Sequence, residues 1–164
     1  MPPKAKITKE KILNTVLEIT KETGFETVNA RSIANKLQCS TRPIFTCYEN
    51  MDEVKKDFLN FAYKYYEQFV TSYRDSEKIN SSLVYPLSYI EFAQDETYLF
   101  KFLFIDDMDL NMSKATDFYK EEDNEKRAND FSESIGIRLE KAKTIFWIYF
   151  YTLMVLLFLR QQRK

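Results

Sequence analysis

The scarcity of glycine restricts the folds available to this chain of 164 residues more than any other feature. Gly24 and Gly136 are its only two glycines. Tight hairpin turns need residues with positive φ, which glycine adopts most easily, so a β-sandwich or a β-barrel is poorly supported. Loops that hold a phosphate or a dinucleotide need several glycines close together, and the sequence has no such cluster. A fold built from helices is therefore favoured.

Histidine is absent from the sequence altogether. Its imidazole is the usual general base, the commonest metal ligand and the proton carrier of serine and cysteine triads. The carboxylates, tyrosines and cysteines that remain show no convincing catalytic arrangement. We therefore expect a protein that is not an enzyme and that carries no metal and no cofactor.

An acidic stretch lies in the second half of the chain, where residues 106–130 hold nine acidic and four basic side chains. Asp107, Asp109 and Asn111 have the spacing that begins a calcium-binding loop. Met112, however, occupies the position at which such a loop requires glycine. The sequence thus argues against a calcium site, and we expect a solvated segment.

Apolar residues recur at helical spacing along the chain, beginning with Ile12, Val16 and Ile19 on one helix face. Thr8 before this helix is a suitable N-cap, and Gly24 after it is a suitable end. Strand-type alternation is not sustained anywhere, so the predicted fold is all-α. The predicted helices cover residues 9–22, 30–37, 41–49, 52–73, 83–94, 96–105, 113–134 and 138–160.

Rings and charges divide the chain into two parts. Of the 14 Phe, 11 Tyr and one Trp, four lie within the first 60 residues. The first 60 residues carry ten basic and eight acidic side chains, whereas the rest of the chain carries 14 basic and 17 acidic ones. We predict a head at residues 1–50 that meets a polyanion and a helical, ring-rich body at residues 51–164, joined through a long helix at about 52–73.

The second and third predicted helices are separated by a few residues, which is the arrangement of a helix-turn-helix unit. The notable elements in and around it are Gly24-Phe25, Ile33-Ala34, Ser40, Ile44-Phe45, Tyr48 and Asp52-Glu53-Val54. Together they resemble the DNA-binding head of TetR-type bacterial transcriptional regulators, over residues 9–60. The later run KAKTIFWIYFYTLMVLL, in which Trp147 matches a recurrent aromatic residue, resembles the penultimate helix of a TetR subgroup.

This resemblance implies a three-helix head followed by a helical ligand-binding and dimerisation bundle. It also implies a ligand-responsive repressor that binds a palindromic double-stranded DNA operator as a homodimer. The residues themselves point to a reducing cytoplasm, because the first eleven show no signal peptide and two cysteines, Cys39 and Cys47, are too few for a disulfide framework.

Three positions within residues 9–60 depart from the family's pattern, and in the later run Tyr151-Thr152 stands where a His-Gly pair is common in the subgroup. The turn holds Gln38 where members usually carry glycine, and the third helix holds Cys47 where tyrosine or histidine is common. Met51 stands where many members have a lysine that contacts a phosphate. We expect Lys55 or Lys56 to replace part of that contact.

A recognition helix needs short polar or basic side chains near its N-terminal end to reach base edges. Arg42 would form two hydrogen bonds with a guanine, and Thr41 and Thr46 would touch a base or a phosphate. Backbone N–H groups near Asn29 and Ala30 would bind a phosphate. The alternative for each residue is an ordinary solvated side chain. The full predicted set is Asn29, Ala30, Ser40, Thr41, Arg42, Pro43, Phe45, Thr46, Cys47 and Lys55.

The resemblance implies that a small molecule binds in the body and changes the spacing of the two heads. The alternative is that the rings of the body are simply core, because aromatic residues at helical spacing usually pack. A cavity lined by such rings predicts a largely apolar or amphipathic effector. The predicted lining consists of Tyr65, Phe69, Tyr89, Phe92, Phe100, Phe104, Trp147 and Tyr151.

Residues 144–159 form a run of 16 without a charge. As a helix this run spans about 24 Å, which is short of the roughly 30 Å hydrocarbon core of a bilayer. A tail-anchored membrane protein is therefore the alternative reading of the sequence. Burial between the chain's own body and a partner subunit explains the run better, so we expect a homodimer and no membrane partner.

Overall fold

The computed structural model of the chain describes residues 7–76, 81–106 and 122–161. Within these ranges the protein is all-α and contains no strand, which confirms the predicted fold class. A 3₁₀ turn at Phe25–Thr27 follows the first helix, and a π-helical turn at Phe102–Asp106 follows the sixth. The α-helices of the described ranges are α1 (Lys9–Thr23), α2 (Ala30–Lys36), α3 (Arg42–Cys47), α4 (Met51–Ser76), α5 (Ser81–Asp95), α6 (Thr97–Lys101), α7 (Glu122–Ile135) and α8 (Leu139–Gln161).

The first helix forms where the apolar spacing predicts it. Thr8 is its N-cap, and the Thr8 hydroxyl accepts a hydrogen bond from the Lys11 N–H at 3.3 Å. Gly24 ends the helix with a φ of +89°, and its N–H donates to the Thr20 carbonyl at 3.0 Å. Side chains rarely adopt this φ, so glycine is the residue that fits. The inward-facing side chains are Ile12, Thr15, Val16, Ile19 and Thr20.

The long helix α4 begins and ends slightly outside its predicted range. Asn50 and Glu53 fix its start, because the Asn50 side-chain oxygen accepts the Glu53 N–H at 3.0 Å. The Glu53 carboxylate in turn accepts the Glu49 N–H at 2.9 Å. The first bond satisfies a backbone donor that the first turn of a helix leaves open, and the second ties the chain just before the helix to that turn.

The buried ridge of α4 repeats every four residues. The helical spacing of Val54, Phe58, Phe61, Tyr65 and Phe69 predicts the buried side of this helix. Val54 and Phe58 are fully buried, but the other three are half-buried. Rows at four-residue spacing run only slightly inclined to the axis of a helix, so one such row stays buried and the predicted later positions flank it. The buried ridge consists of Val54, Phe58, Ala62, Tyr66 and Val70.

The chain packs as two units. The first comprises residues up to Glu67 together with Glu96–Leu103, and the second comprises Gln68–Asp95 together with the residues from Phe104 onward. The division therefore falls within α4, and α6 belongs to the first unit although its neighbours in sequence belong to the second. The predicted boundary at residue 50 marks the end of the predicted helix-turn-helix head and stays a prediction.

Three phenylalanine rings pack together in the first unit. Phe25 stacks on Phe58 with ring centroids 5.6 Å apart, and Phe102 lies 4.3 Å from Phe25 and 5.0 Å from Phe58. Phe25 comes directly after the glycine that ends α1, so the chain turns back into the core there. Leu99 and Phe100 of α6 are fully buried and extend this core, and α6 packs against α1.

In the second unit, α7 and α8 form a helical hairpin. Gly136, with a φ of +65°, directly follows α7. Ala128 of α7 and Ala142 of α8 are fully buried, and such small side chains let two helices approach closely. Phe131 and Phe146 pack across the hairpin with ring centroids 6.0 Å apart. Helix α5 packs against both helices of the hairpin.

Two predictions concern the acidic stretch and the uncharged run. The segment 107–121 contains most of the acidic stretch and the predicted start of a helix at residue 113, and it lies outside the described residues. The uncharged run 144–159 lies within α8. In the described ranges, no helix combines the length and the apolar content that a bilayer crossing needs.

Candidate nucleic-acid interface

The predicted phosphate-binding end of α2 is closed by a capping box. The Asn29 side-chain oxygen accepts hydrogen bonds from the N–H groups of Arg31 and Ser32, both at 3.0 Å. The Ser32 hydroxyl accepts the Asn29 N–H at 2.9 Å, which completes the reciprocal pair. Asn29 thus already has partners, and the predicted phosphate contact depends on the Ala30 N–H, which takes no part in the capping box.

The turn between α2 and α3 adopts the conformation that usually calls for glycine, although it holds Gln38. Gln38 has a φ of +52°, which lies in the left-handed region. Its N–H donates to the Asn35 carbonyl at 3.1 Å, and the Cys39 N–H donates to the Ala34 carbonyl at 3.0 Å. This pair of bonds is a Schellman motif, which ends α2 and redirects the chain. A glutamine in this conformation costs about 1–2 kcal/mol.

Helix α3 has one buried and one exposed side. Ile44 is fully buried and Tyr48, just after the helix, is 2% exposed. Arg42, Phe45 and Thr46 point the other way and are exposed, with 48% of Phe45 accessible to solvent. We call these three side chains the α3 surface. It brings together a guanidinium, an apolar ring and a hydroxyl within two turns of helix.

Three further predicted residues adjoin the α3 surface. Ser40 is exposed, and Thr41 is half-buried at the N-cap position, where its side chain makes no capping hydrogen bond. Pro43 is half-buried in the first turn of α3. Proline has no N–H, but an N–H in the first turn has no partner within the helix, so no backbone hydrogen bond is lost. The Thr46 hydroxyl donates to the Arg42 carbonyl at 3.0 Å, so part of its hydrogen-bonding capacity is already used.

The last two predicted residues lie apart from the α3 surface. Cys47 is half-buried, and its thiol donates to the Ile7 carbonyl with an Sγ to oxygen distance of 3.8 Å. Lys55 is exposed on the second turn of α4. The structure therefore groups residues 40–46 around α3 and assigns Cys47 to packing against the segment that precedes α1.

Several basic side chains of the head are bound within the chain. Lys9 pairs with Asp57 at 3.2 Å, and Lys36 pairs with Glu22 at 2.6 Å. Arg42 differs, because no carboxylate in the described part of the chain pairs with its guanidinium. A cation that is exposed and makes no ion pair there is available to an anionic or polar ligand.

Tyr48 holds the C-terminal end of α3 in place. The chain leaves the helix at this residue with φ −136° and ψ 143°, and the ring enters the core. The Lys9 ammonium lies over the ring, 4.4 Å from its centroid. Burial raises the pKa of the Tyr48 hydroxyl above its ordinary value, and the negative charge of Asp57 raises it further.

A second polar cluster ties three helices of the first unit together. Lys21 of α1 forms an ion pair with the carboxylate of Glu96, the residue before α6, at 2.5 Å. Tyr65 of α4 donates to the same carboxylate at 2.8 Å and accepts from Lys21 at 2.9 Å. Burial by itself lowers the pKa of Lys21, but the bonds and charges of Glu96 and Tyr65 outweigh it and raise that pKa. We call these residues the Lys21 cluster.

Sequence reasoning missed the Lys21 cluster. Tyr65 was predicted to line a cavity, whereas here it joins Lys21 and Glu96. The partners of Tyr65 lie 44 and 31 residues away along the chain. No local spacing pattern relates residues so far apart, so only the three-dimensional packing of α1, α4 and α6 reveals the cluster.

The eight predicted pocket residues are divided between the two units. Tyr65 and Phe100 belong to the first unit, and the other six belong to the second. Those six contact one another in pairs. The pairs are Phe69 with Phe92 at 5.1 Å, Tyr89 with Phe104 at 5.0 Å, and Trp147 with Tyr151 at 5.7 Å between ring centroids. A common cavity lined by all eight rings stays a prediction.

Helix α8 exposes several apolar side chains. Ala142 and Phe146 are buried, whereas 51% of Ile148 and 59% of Leu156 are exposed. We call the exposed apolar residues of this helix the α8 surface. Its members are Ile145, Ile148, Tyr149, Tyr151, Val155 and Leu156.

Comparison with known proteins gives no relative from which a function follows. No family model matches the chain, and no curated protein matches it. The α3 surface, the Lys21 cluster and the α8 surface are therefore the features from which a function is inferred.

Proposed function

We propose that this protein is a DNA-binding transcriptional regulator, a ligand-responsive repressor of the TetR type that acts in the bacterial cytoplasm as a homodimer. The observation that carries the proposal is the α3 surface, which exposes Arg42, Phe45 and Thr46 while Ile44 holds the opposite side of the helix in the core. A helix anchored on one side and exposed on the other presents a fixed set of side chains. The set here contains types that contact bases in a major groove.

In this proposal α2 and α3 form a helix-turn-helix unit, and α3 enters the major groove. Arg42 is the side chain best suited to specify a base, because a guanidinium forms two hydrogen bonds with O6 and N7 of guanine. Within the described residues it has no ion pair to break before it binds. Thr41 and Lys55 contact phosphates, which fix the register of the helix on the duplex.

The α8 surface supports the proposed homodimer. Ala142 and Phe146 are already buried, whereas the exposed side chains of Ile148 and Leu156 are available to another molecule. Contiguous exposed apolar residues mark surfaces that a protein or a membrane covers. A second copy is the occupant we propose, since a palindromic operator is read by two heads related by a two-fold axis.

The proposed effector is a small, largely apolar molecule with one or two polar groups. The second unit supplies phenylalanine, tyrosine and tryptophan rings, which suit such a ligand and also attract hydrophobic cations. Binding changes DNA affinity only if the effector prefers either the DNA-competent or the DNA-incompetent state. A thermal-shift screen with apolar, cationic and anionic compounds tests this, and stabilisation by strongly anionic compounds alone would contradict it.

A tail-anchored membrane protein that uses residues 144–159 is the alternative function. The described helices include none with the length and apolar content for a bilayer crossing, which weakly disfavours it. Purification without detergent separates the two proposals. Protein that remains dispersed in aqueous buffer supports the regulator, whereas protein that sediments with membranes supports the anchor.

The DNA-binding proposal is tested by gel-shift titration on an operator selected from random duplexes. Arg42→Ala should weaken specific binding by about 1–3 kcal/mol, or roughly five- to 150-fold, because one bidentate base contact is lost. Arg138→Ala removes the same charge from an exposed position next to α8 and serves as the matched control. If both variants bind with unchanged affinity and preference, Arg42 does not read a base.

A further inference from the structure

The α3 surface contains one side chain, Phe45, that cannot bind DNA through a hydrogen bond. Phe45 lies on the same side of the helix as Arg42 and Thr46, with 48% of its surface exposed, while its neighbour Ile44 is fully buried. Single exposed apolar residues are common on protein surfaces. Phe45 differs from these because it belongs to the α3 surface, which the proposed function places in the major groove.

The chemistry of the ring limits what it can recognise there. A phenylalanine side chain has no donor and no acceptor, so it can bond neither to a phosphate oxygen nor to the polar edge of a base. Among the groups that unmodified base pairs present in the major groove, the C5-methyl group of thymine is the apolar one. Contact between the ring and this methyl group removes apolar surface of both from water.

We propose, on the basis of the function proposed above, that Phe45 is a specificity-determining residue that recognises a thymine methyl group in each half-site. Arg42 recognises a guanine beside it. Residues three apart on a helix have their Cβ atoms about 5–6 Å apart, and successive base pairs are about 3.4 Å apart along the duplex. The thymine that Phe45 contacts therefore lies one or two base pairs from the guanine that Arg42 contacts.

The surroundings of Phe45 favour methyl recognition over insertion of the ring between base pairs. Side chains that act as wedges do so from the minor groove and unstack a base step. Phe45 shares the α3 surface with Arg42 and Thr46, whose polar groups suit the donor and acceptor pattern of the major-groove edge. A ring inserted between base pairs would be indifferent to the thymine methyl group, so the two roles predict different results.

The test replaces thymine by deoxyuridine, which removes the methyl group and leaves the pairing edge unchanged. Each thymine of the selected half-site is replaced singly, and affinity is measured by competition with the unmodified operator. Loss of the contacted methyl group should weaken binding by the wild-type protein about fourfold, since burial of one such group is worth about 0.8 kcal/mol. Replacement in both half-sites of the palindrome should weaken binding about 15-fold.

Variants of Phe45 identify the side chain responsible. Phe45→Ala should bind the thymine and deoxyuridine operators equally, whereas Phe45→Leu should retain part of the preference because it keeps an apolar side chain. Tyr98→Ala removes another exposed ring, 43% accessible, and should keep the full preference. A 7-deazaguanine at the guanine should weaken binding by Phe45→Ala as much as by wild type, since it removes the N7 acceptor that Arg42 uses.

The outcomes separate this inference from the proposed function. Selective binding that is indifferent to every thymine replacement would overturn the role of Phe45 and leave the regulator intact. The same holds if Phe45→Ala retains the full preference for thymine. Selection that enriches no sequence at all would overturn the proposed function, and the role of Phe45 with it.

Discussion

Helices α3 and α8 each bury one side, but they expose opposite kinds of surface. Around the buried Ile44, α3 exposes the polar residues Arg42 and Thr46 together with a single ring, Phe45. Helix α8 exposes Ile148 and Leu156, while Ala142 and Phe146 are buried. A mixed polar surface is free to meet a polar ligand, whereas an extended apolar surface gains free energy in water when another apolar surface covers it.

The largest expected effect is the loss of the proposed dimer when the α8 surface is changed. Ile148→Asp should convert the dimer to a monomer, because a carboxylate buried without a partner in an interface costs about 3–5 kcal/mol. Light scattering at micromolar concentration should give about twice 19.6 kDa for the wild type and the single-chain mass for the variant. Ile135→Asp, at a residue 41% exposed at the end of α7, is the control and should remain a dimer. A monomeric wild type would contradict the role of the α8 surface.

The next prediction concerns the contribution of the Lys21 cluster to the stability of the first unit, which contains α3. Glu96→Gln should lower the free energy of unfolding by about 1–3 kcal/mol, because Lys21 loses the charge of a carboxylate whose side chain is only 12% exposed. Glu22→Gln removes a carboxylate that pairs with Lys36 and is 62% exposed, and it should change stability little. Urea denaturation of both variants provides the comparison. Equal losses would show that the Lys21 cluster contributes no more than a surface ion pair.

The pH dependence of stability tests whether Tyr48 anchors α3 as described. The folded protein holds the Tyr48 proton more tightly than the unfolded chain, whose tyrosines titrate near pH 10. The resulting stabilisation is complete below pH 10 and is lost as the pH rises above it, by up to about 1.4 kcal/mol per pH unit. Tyr48→Phe should flatten this decline. Tyr98→Phe, at an exposed tyrosine, should decline as steeply as the wild type, and a slope that neither variant changes would exclude Tyr48 as its source.

The smallest expected effect concerns the turn that sets α3 against α2. Gln38→Gly should raise the free energy of unfolding by about 0.5–1 kcal/mol, since glycine adopts the φ of +52° without strain but is more flexible when unfolded. Asn35→Gly places glycine in the helix just before the turn and should lower stability slightly. Thermal unfolding distinguishes the two changes. A lower melting temperature for Gln38→Gly would mean that the glutamine side chain stabilises the turn.

Local patterns were sufficient for α1 and for both of its ends. The i, i+4, i+7 spacing of Ile12, Val16 and Ile19 predicts α1, and Thr8 and Gly24 cap it as expected. These features depend on neighbours within one or two turns, which is the range over which sequence spacing reports structure. The all-α fold followed from the same local evidence.

Features that depend on distant contacts were not predictable. Ala62 and Tyr66 replace Phe61 and Tyr65 in the buried ridge of α4, because the elements that pack on the helix select which side is covered. The partners of Glu96 lie on other helices. In the candidate site, the sequence indicated which residues start α3, but only the structure separates the exposed Phe45 from the half-buried Cys47.

The central claim is that α3 reads double-stranded DNA from a two-fold symmetric dimer. Selection of binding sites from random duplexes with the full chain, followed by sequencing, tests it most directly. The account predicts a palindrome whose half-sites are centred about 34–36 Å apart or at a multiple of that distance, each with a guanine and a thymine one or two base pairs apart. No enriched sequence, or a single asymmetric site bound by one chain, would contradict it.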